Sequence, residues 1–438
     1  MAKPVVAIVG RPNVGKSTLF NRLAGTRISI VESEPGITRD RIYADIEWQD
    51  EKFILIDTGG IETDSDDIII SKIRQQAQLA IEEADLLLFV VDGRSGITNL
   101  DEEIAGYLRK TNKKIILVIN KVDDFSLVDE IIWQFYALGF EEMMPLSAEH
   151  GKNIGDLLEK IIENLPEIAE EEEDSEVLNI AIVGKPNVGK SSLVNYIAGQ
   201  ERSIVSDIPG TTRDAIDTLV EVNGIKYNLI DTAGLRRKAR IKESIEYYSV
   251  IRTLRGIDRA DAVLMMIDAR DGVTTQDKRI VGYAHDSGKA IVLAVNKWDL
   301  IEKDSKTMEE YKKDIYDELK FLTYAPITFI SALTGQRVTE ALELLEYVVD
   351  QNSLRIKTGL LNEVLEEAFL LREPPGYRGK KLKLLYATQV GIKPPTFLLF
   401  VNDPELMHFS YERYLENALR DAFGFVGTSI RIILKKRN

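Results

Sequence analysis

Two lysines in this chain stand in the same eight-residue frame. Lys16 lies in GRPNVGKS (Gly10–Ser17) and Lys190 in GKPNVGKS (Gly184–Ser191). Both segments fit G-x-x-x-x-G-K-[ST], and each sits between an apolar run and a helical stretch, the context that pattern requires. Gly10, Gly15, Gly184 and Gly189 let successive backbone N–H groups, those of Asn13, Val14, Asn187 and Val188 among them, wrap a β-phosphate at a helix N-terminus. Lys16 and Lys190 neutralise β/γ oxygens, Ser17 and Ser191 offer a hydroxyl to Mg²⁺, and Thr18 and Ser192 follow in the first helical turn. A glycine turn that merely packs a helix on a sheet would not need the lysine and the hydroxyl together, twice.

Further polar groups stand at fixed distances after each loop. DTGG (Asp57–Gly60) and DTAG (Asp231–Gly234) end apolar runs. Asp57 and Asp231 can reach Mg²⁺ through water, and the N–H of Gly60 and Gly234 can meet a γ-phosphate. PGITRD (Pro35–Asp40) and PGTTRD (Pro209–Asp214) bring Thr38 and Thr212, candidates to coordinate Mg²⁺ and sense the γ-phosphate; a plain Pro-Gly turn is the simpler reading. NKVD (Asn120–Asp123) and NKWD (Asn296–Asp299) choose the base. Guanine presents two adjacent donors, which the carboxylate of Asp123 or Asp299 accepts. Adenine would present an acceptor and leave that charge unpaired. The stems of Lys121 and Lys297 can cover the ring, and Ser147-Ala148 and Ser331-Ala332 can offer a backbone N–H to the guanine oxygen. The set implies GTP or GDP with Mg²⁺, bound twice.

Positioning these groups takes a repeated framework. The two phosphate loops are offset by 174 residues, as are the two D-x-x-G motifs; the NKxD motifs are offset by 176 and the Ser-Ala pairs by 184. This is a duplicated domain, with small insertions in the second copy, mainly along Glu302–Lys320. In the first copy, continuous apolar runs at Val5–Gly10, Phe53–Thr58, Leu86–Asp92, Ile115–Asn120 and Met143–Ser147 read as strands buried on both faces. Ile68–Ala84 and Glu102–Lys110 read as helices between them. The alternation predicts an α/β fold: two tandem doubly wound, mostly parallel sheets, with ligands at the carboxyl ends of the strands. Residues 351–438 differ. Helix Leu360–Leu371, strands Lys383–Val390 and Thr396–Val401, helix Tyr411–Phe423 and strand Ser429–Lys436 predict a small α+β domain. The expected organisation is 1–166, an acidic linker 167–176 containing Glu170–Asp174, 177–350, and 351–438.

Bulk composition bounds the partners. The 438 residues are 44% hydrophobic and 29% charged, contain no cysteine and carry a net charge of −15. That average conceals an asymmetry: residues 351–438 hold 14 Lys+Arg against 9 Asp+Glu, so one end has a surplus suited to a polyanion. Without cysteine there is neither disulfide nor thiolate metal site. His150, His285 and His408 are too scattered for a histidine metal site and read as surface or packing residues. No run approaches the ~18 apolar residues of a membrane helix, and no signal peptide precedes the first motif. A cytoplasmic protein without a membrane anchor is expected, and the absence of coiled-coil heptads fits a monomer.

With these motifs in order twice, the chain resembles the translation-factor-related GTPases in their Era-like branch. Two such domains followed by a small C-terminal one resemble the double-Era-like GTPases, bacterial ribosome-assembly factors. The resemblance covers essentially the whole chain. It implies GTP hydrolysis, a KH-like C-terminal domain, and nucleotide-dependent binding to the large ribosomal subunit and its rRNA rather than to DNA. Similar GTPases often hold a potassium ion near the phosphates through the asparagine of the phosphate loop, here Asn13 or Asn187; turn formation is the competing role. Where related switches carry a water-orienting glutamine after D-x-x-G, this chain has Ile61 and Leu235, so slow intrinsic hydrolysis is expected. After Gly234 comes the basic run LRRKARIKE, whereas residues 61–67 are acidic. The basic run can face RNA, other domains or solvent. GYRG (Gly376–Gly379) has the form of a KH clamp but the position of an ordinary turn. A GTPase scaffold in membrane or cell-division processes is the alternative function; a missing amphipathic anchor and the basic terminal domain weigh against it.

Overall fold

The structure is a computed structural model and describes residues 3–25, 43–49, 51–57, 84–166, 177–199, 217–230, 245–376 and 380–436. The chain divides into two compact units, Met1–Glu171 and Glu172–Asn438.

In the first unit the central strands are the ones with no polar face. β1 (Val5–Val9) and β4 (Leu86–Asp92) are buried at every position, and β5 (Lys114–Asn120) over its last five. They can only lie between layers of helices, and they do. The sheet order is β2-β3-β1-β4-β5-β6, with β3 (Glu51–Asp57) and β6 (Met143–Pro145) also parallel to their inner neighbours. β2 (Tyr43–Trp48) runs antiparallel to β3 at the edge. Its sequence YADIEW alternates apolar and polar residues and so lacks the continuous apolar run of the central strands; Ile46 points into the core. Helix α1 (Lys16–Gly25) follows the phosphate loop and buries Leu19, Phe20 and Leu23. Helix α2 (Asn99–Leu108) begins three residues before its expected start. Thr98 accepts from the N–H of Asp101 while Asp101 reaches back to Thr98, a capping box that ends the search for a start point. Short α3 (Val128–Phe135) and α4 (Ile154–Asn164) complete the unit. The helix expected over Ile68–Ala84 lies, apart from Ala84, outside the described residues, as does the linker 167–176.

The second unit repeats this design and extends it. Its first sheet has the order β12-β11-β10-β7-β9-β8, formed by β7 (Val177–Val183), β8 (Thr218–Val222), β9 (Ile225–Ile230), β10 (Ala262–Asp268), β11 (Ala290–Asn296) and β12 (Ile327–Phe329). Helices α5 (Lys190–Ala198), α6 (Ile245–Arg259), α7 (Thr275–Asp286), α8 (Thr307–Glu318) and α9 (Val338–Asn352) surround it. The Thr98–Asp101 box recurs as Thr274–Asp277 at the start of α7. Half of the insertion expected mainly along Glu302–Lys320 is in α8, which has 12 residues where α3 has 8, while the spacing from NKxD to Ser-Ala grows from 27 residues to 35.

The C-terminal part of this unit has the expected order α-β-β-α-β: α10 (Thr358–Leu371), β13 (Leu384–Gly391), β14 (Thr396–Val401), α11 (Phe409–Phe423) and β15 (Arg431–Lys436). β13 pairs antiparallel and β15 parallel with β14. One face of this three-stranded sheet is covered: Ala387, Phe397, Leu399 and Val401 pack against Leu361 and Leu365 of α10 and Leu415 and Leu419 of α11.

This small domain is joined to the preceding sheet through backbone. The N–H of Ile291 at the start of β11 donates to Gly427 O at 2.7 Å, and the N–H of Gly427 donates to Tyr324 O at 2.9 Å. Gly427 has φ +74°, and a Cβ there would lie 2.3 Å from Val348 Cγ1, so this approach requires glycine. Asn352, buried at the end of α9, donates to Gly288 O at 3.3 Å and bonds Thr428 Oγ1.

Candidate functional site

Both phosphate loops turn tightly from a strand into a helix. Asn13 (φ 66°) and Asn187 (φ 62°) occupy the left-handed region that asparagine tolerates. Gly15 (φ +92°) and Gly189 (φ +113°) follow, and a Cβ on them would lie 2.4 and 2.3 Å from the amide nitrogens of Asn120 and Asn296. Glycine is needed at both for two reasons at once: backbone angle and close approach. Val14 and Val188 are fully buried beneath the loops. Lys16 Nζ donates to Arg11 O at 2.8 Å. Lys190 Nζ donates to Gly184 O at 2.5 Å and Lys185 O at 2.7 Å. Each ammonium is thus folded back over its own loop. Burial pushes the Lys16 pKa down from its ordinary value, with Asp57 opposing and Arg11 adding to the fall. Ser17 Oγ donates to Asp57 Oδ2 at 2.8 Å. Two hard oxygen donors, one a carboxylate only 1% exposed, therefore converge beside the lysine, a donor set that suits Mg²⁺. Thr18 and Ser192 are exposed on the first turns of α1 and α5. Thr38, Gly60, Thr212, Asp231 and Gly234 lie outside the described residues, as do Ile61, Leu235, the basic run after it and Tyr377–Gly379 of GYRG.

At the base-reading end the asparagines are structural joints. Asn120 Nδ2 donates to Val14 O at 2.9 Å, and its Oδ1 accepts from the N–H of Lys121 at 2.8 Å and of Ala148 at 3.0 Å. Asn296 repeats this, with Val188 O at 2.7 Å and the N–H of Ala332 at 2.8 Å. One buried side chain in each copy thus welds the phosphate loop, the NKxD turn and the Ser-Ala loop into one cradle. A guanine oxygen that reaches the N–H of Ala148 or Ala332 shares it with that asparagine. Ser147 and Ser331 are fully buried, and Ser147 Oγ donates to Asp123 Oδ1 at 2.8 Å. Arg94 pairs with the other carboxylate oxygen. The Arg94 hydrogen bond and the Ser147 hydroxyl hold Asp123 below the usual carboxylate range. Asp299 is exposed at the matching place. The variable residue of the motif belongs to the core: Val122 and Trp298 are each 1% exposed, and the Trp298 ring packs, tilted by 48°, against Phe329 with centroids 4.4 Å apart.

Two residues that matter here were not singled out in the sequence. Lys121 Nζ donates to Asp92 Oδ2 and to Asn13 O, both at 2.7 Å. Lys297 Nζ donates to Asp268 Oδ2 at 2.5 Å. Burial pushes the Asp92 carboxyl up, but Lys121 and the N–H groups of Arg94 and Ser95 outweigh it and hold it low. Asp268 is held low in the same way by Lys297 and the N–H of Arg270. The signal was present: β4 and β10 both end in aspartate, and each pairs in register with the asparagine of its NKxD motif. Lys121 and Lys297 themselves have φ 66° and 63°, strained angles that these anchors fix.

Two sheets of this topology, each carrying a phosphate loop and an NKxD turn tied together by one buried asparagine, define a tandem P-loop GTPase with a small KH-like domain. A family model described as 50S ribosome-binding GTPase matches residues 5–121 and 179–297. One described as the KH-domain-like C-terminal region of EngA bacterial GTPase enzymes matches residues 355–435. Over 437 residues the chain is 69% identical to the GTPase Der of Halothermothrix orenii, covering 100% of both chains. It is 57% identical to the GTPase Der of Ruminiclostridium cellulolyticum and 58% to that of Desulfitobacterium hafniense strain DCB-2, covering 100% of this chain and 99% of each. The chain belongs to the GTPase Der family, whose members hydrolyse GTP.

Proposed function

We propose that this GTPase acts in maturation of the large ribosomal subunit, binding the subunit and its rRNA in a nucleotide-dependent way. The observation that carries the nucleotide part is the doubled cradle, in which Asn120 and Asn296 each tie three loops at hydrogen-bond distance. The ribosomal part is supported by the 50S ribosome-binding family model matching both copies. In this reading Gly10–Thr18 and Gly184–Ser192 hold the phosphates. Lys16 and Lys190 stabilise charge that develops as the γ-phosphoryl passes to water. Ser17, Thr38 and Asp57, and Ser191, Thr212 and Asp231, hold Mg²⁺, which neutralises the phosphate oxygens. Gly60 and Gly234 sense the γ-phosphate. Asn120, Lys121, Asp123, Ser147 and Ala148, and Asn296, Lys297, Asp299, Ser331 and Ala332, form the guanine pockets. Asn13 and Asn187 help hold a potassium ion. The protein works as a cytoplasmic monomer, and Arg236 and Arg237 contribute to ribosome association.

Co-sedimentation with ribosomal subunits tests this. Binding to the large subunit with a non-hydrolysable GTP analogue, weakened by GDP, is the expected result. Absence of binding in every nucleotide state would remove the ribosomal partner and leave the GTPase without one.

A further inference from the structure

Among the described residues of its own unit, the C-terminal sheet packs helices on one face. Its outer face is set by register: Tyr386 on β13 stands opposite Phe400 on β14, and Phe400 opposite Lys435 on β15. The next row places Leu398 opposite Ile433, and the row beyond ends in Arg431. Tyr386 is 45% exposed and Ile433 47% exposed, although the solvated face of a sheet ordinarily carries polar residues. The rings of Tyr386 and Phe400 lie 6.2 Å apart with an interplanar angle of 39°. In a chain of net charge −15, these three strands contain no acidic residue and hold Arg431, Lys435 and Lys436.

Aromatic rings beside cations on an acid-free sheet suit one class of partner above others. Bases stack on rings without regard to sequence, and lysines pair with the phosphates between them. A protein partner would meet the apolar row equally well but gives no reason for the exclusion of carboxylates.

We propose that the outer face of β13, β14 and β15 is a platform for single-stranded RNA, with bases stacked on Tyr386 and Phe400 and phosphate held by Lys435. This rests on the proposal of an rRNA partner and assigns it a contact. It differs from a G-x-x-G clamp in its location, the sheet rather than a loop.

The test is binding of a short fluorescent oligouridylate to the full chain loaded with GDP, read by anisotropy. Tyr386→Ala should weaken binding about ten-fold, Tyr386→Phe should restore it, and Lys435→Gln should flatten its salt dependence. Tyr386 is exposed, so neither substitution opens the core. Unchanged affinity in Tyr386→Ala and Lys435→Gln overturns the proposal, as does a wild-type chain that binds no oligouridylate. If wild type ignores the oligonucleotide but Tyr386→Ala abolishes co-sedimentation with the large subunit, the face is a protein-docking surface; the RNA platform then fails while the ribosomal reading stands. If oligouridylate binding depends on Tyr386 but no subunit co-sediments, the platform stands and the ribosomal reading fails.

Discussion

Asn120 shows how one side chain can matter more to the cradle than to the ligand. Its amide satisfies Val14 O, while its oxygen accepts from the N–H groups of Lys121 and Ala148. Asn120→Ala leaves these buried groups without partners, at about 1–3 kcal/mol for each. It should lower the melting temperature of the first unit even without nucleotide, and weaken GDP binding there by about ten-fold or more, with the second site unaffected. Titration with fluorescent GDP checks this; retained affinity would mean that the loops hold their positions without the joint. Asn13 has a φ of 66°, which fits the turn role, and its side chain is the candidate for potassium. GTP turnover should be faster in potassium than in sodium chloride, and equal rates would remove the ion. Both asparagines were legible as motif members, but only the contacts reveal which of them joins the loops together.

Helix α7 runs from the second nucleotide-binding fold to the C-terminal domain. It starts at a capping box a few residues after Asp268 and ends against the C-terminal domain, where Arg431 donates to Asp286 O at 2.6 Å. His285 in its last turn bonds the Tyr324 hydroxyl through Nδ1 at 2.7 Å, and Arg420 lies 4.4 Å over the Tyr324 ring. Burial, then Arg420 and Arg431, push the His285 pKa down from 6.5 to about 4. Burial raises the Tyr324 pKa, so a protonated phenol stands beside the neutral imidazole. The unfolded chain takes up a proton near pH 6.5, and the folded chain does so only near 4. Stability is therefore complete above pH 6.5 and falls as pH drops toward 4, by at most on the order of 3 kcal/mol. His285→Gln should flatten that part of the profile in thermal melts between pH 7 and pH 4.5. An unchanged slope would show that other groups carry it.

The whole molecule holds two cradles. Each has its own lysine, asparagine and Ser-Ala loop, and the repeat extends to the anchors Asp92 and Asp268. Calorimetric titration should therefore find two GDP per chain. Lys16→Ala and Lys190→Ala should each leave one, and a single site in wild type would mean that one cradle is closed to nucleotide. The copies are not identical. Asp123 is held by Arg94 and Ser147, whereas Asp299 stands exposed, so the two affinities measured in that titration should differ.

The sequence by itself determined the central strands, the duplication and the chemistry. Runs such as LLLFVVD and AIVLAVN can be stable only between two layers, and a phosphate loop followed at fixed spacing by NKxD leaves little but guanine nucleotides. It also determined the α-β-β-α-β order at the C-terminus, to within a few residues at each end. It did not reveal edge strands such as β2, because a strand half open to solvent lacks a continuous apolar run. Only the tertiary structure decided that Asp92 and Asp268 anchor the NKxD lysines, that Gly427 joins the small domain to β11, and that Tyr386, Phe400 and Lys435 fall in one row on the outer face of the last sheet. Those facts depend on register and on which residues meet across long stretches of chain, and periodicity along a single strand carries no record of what lies opposite.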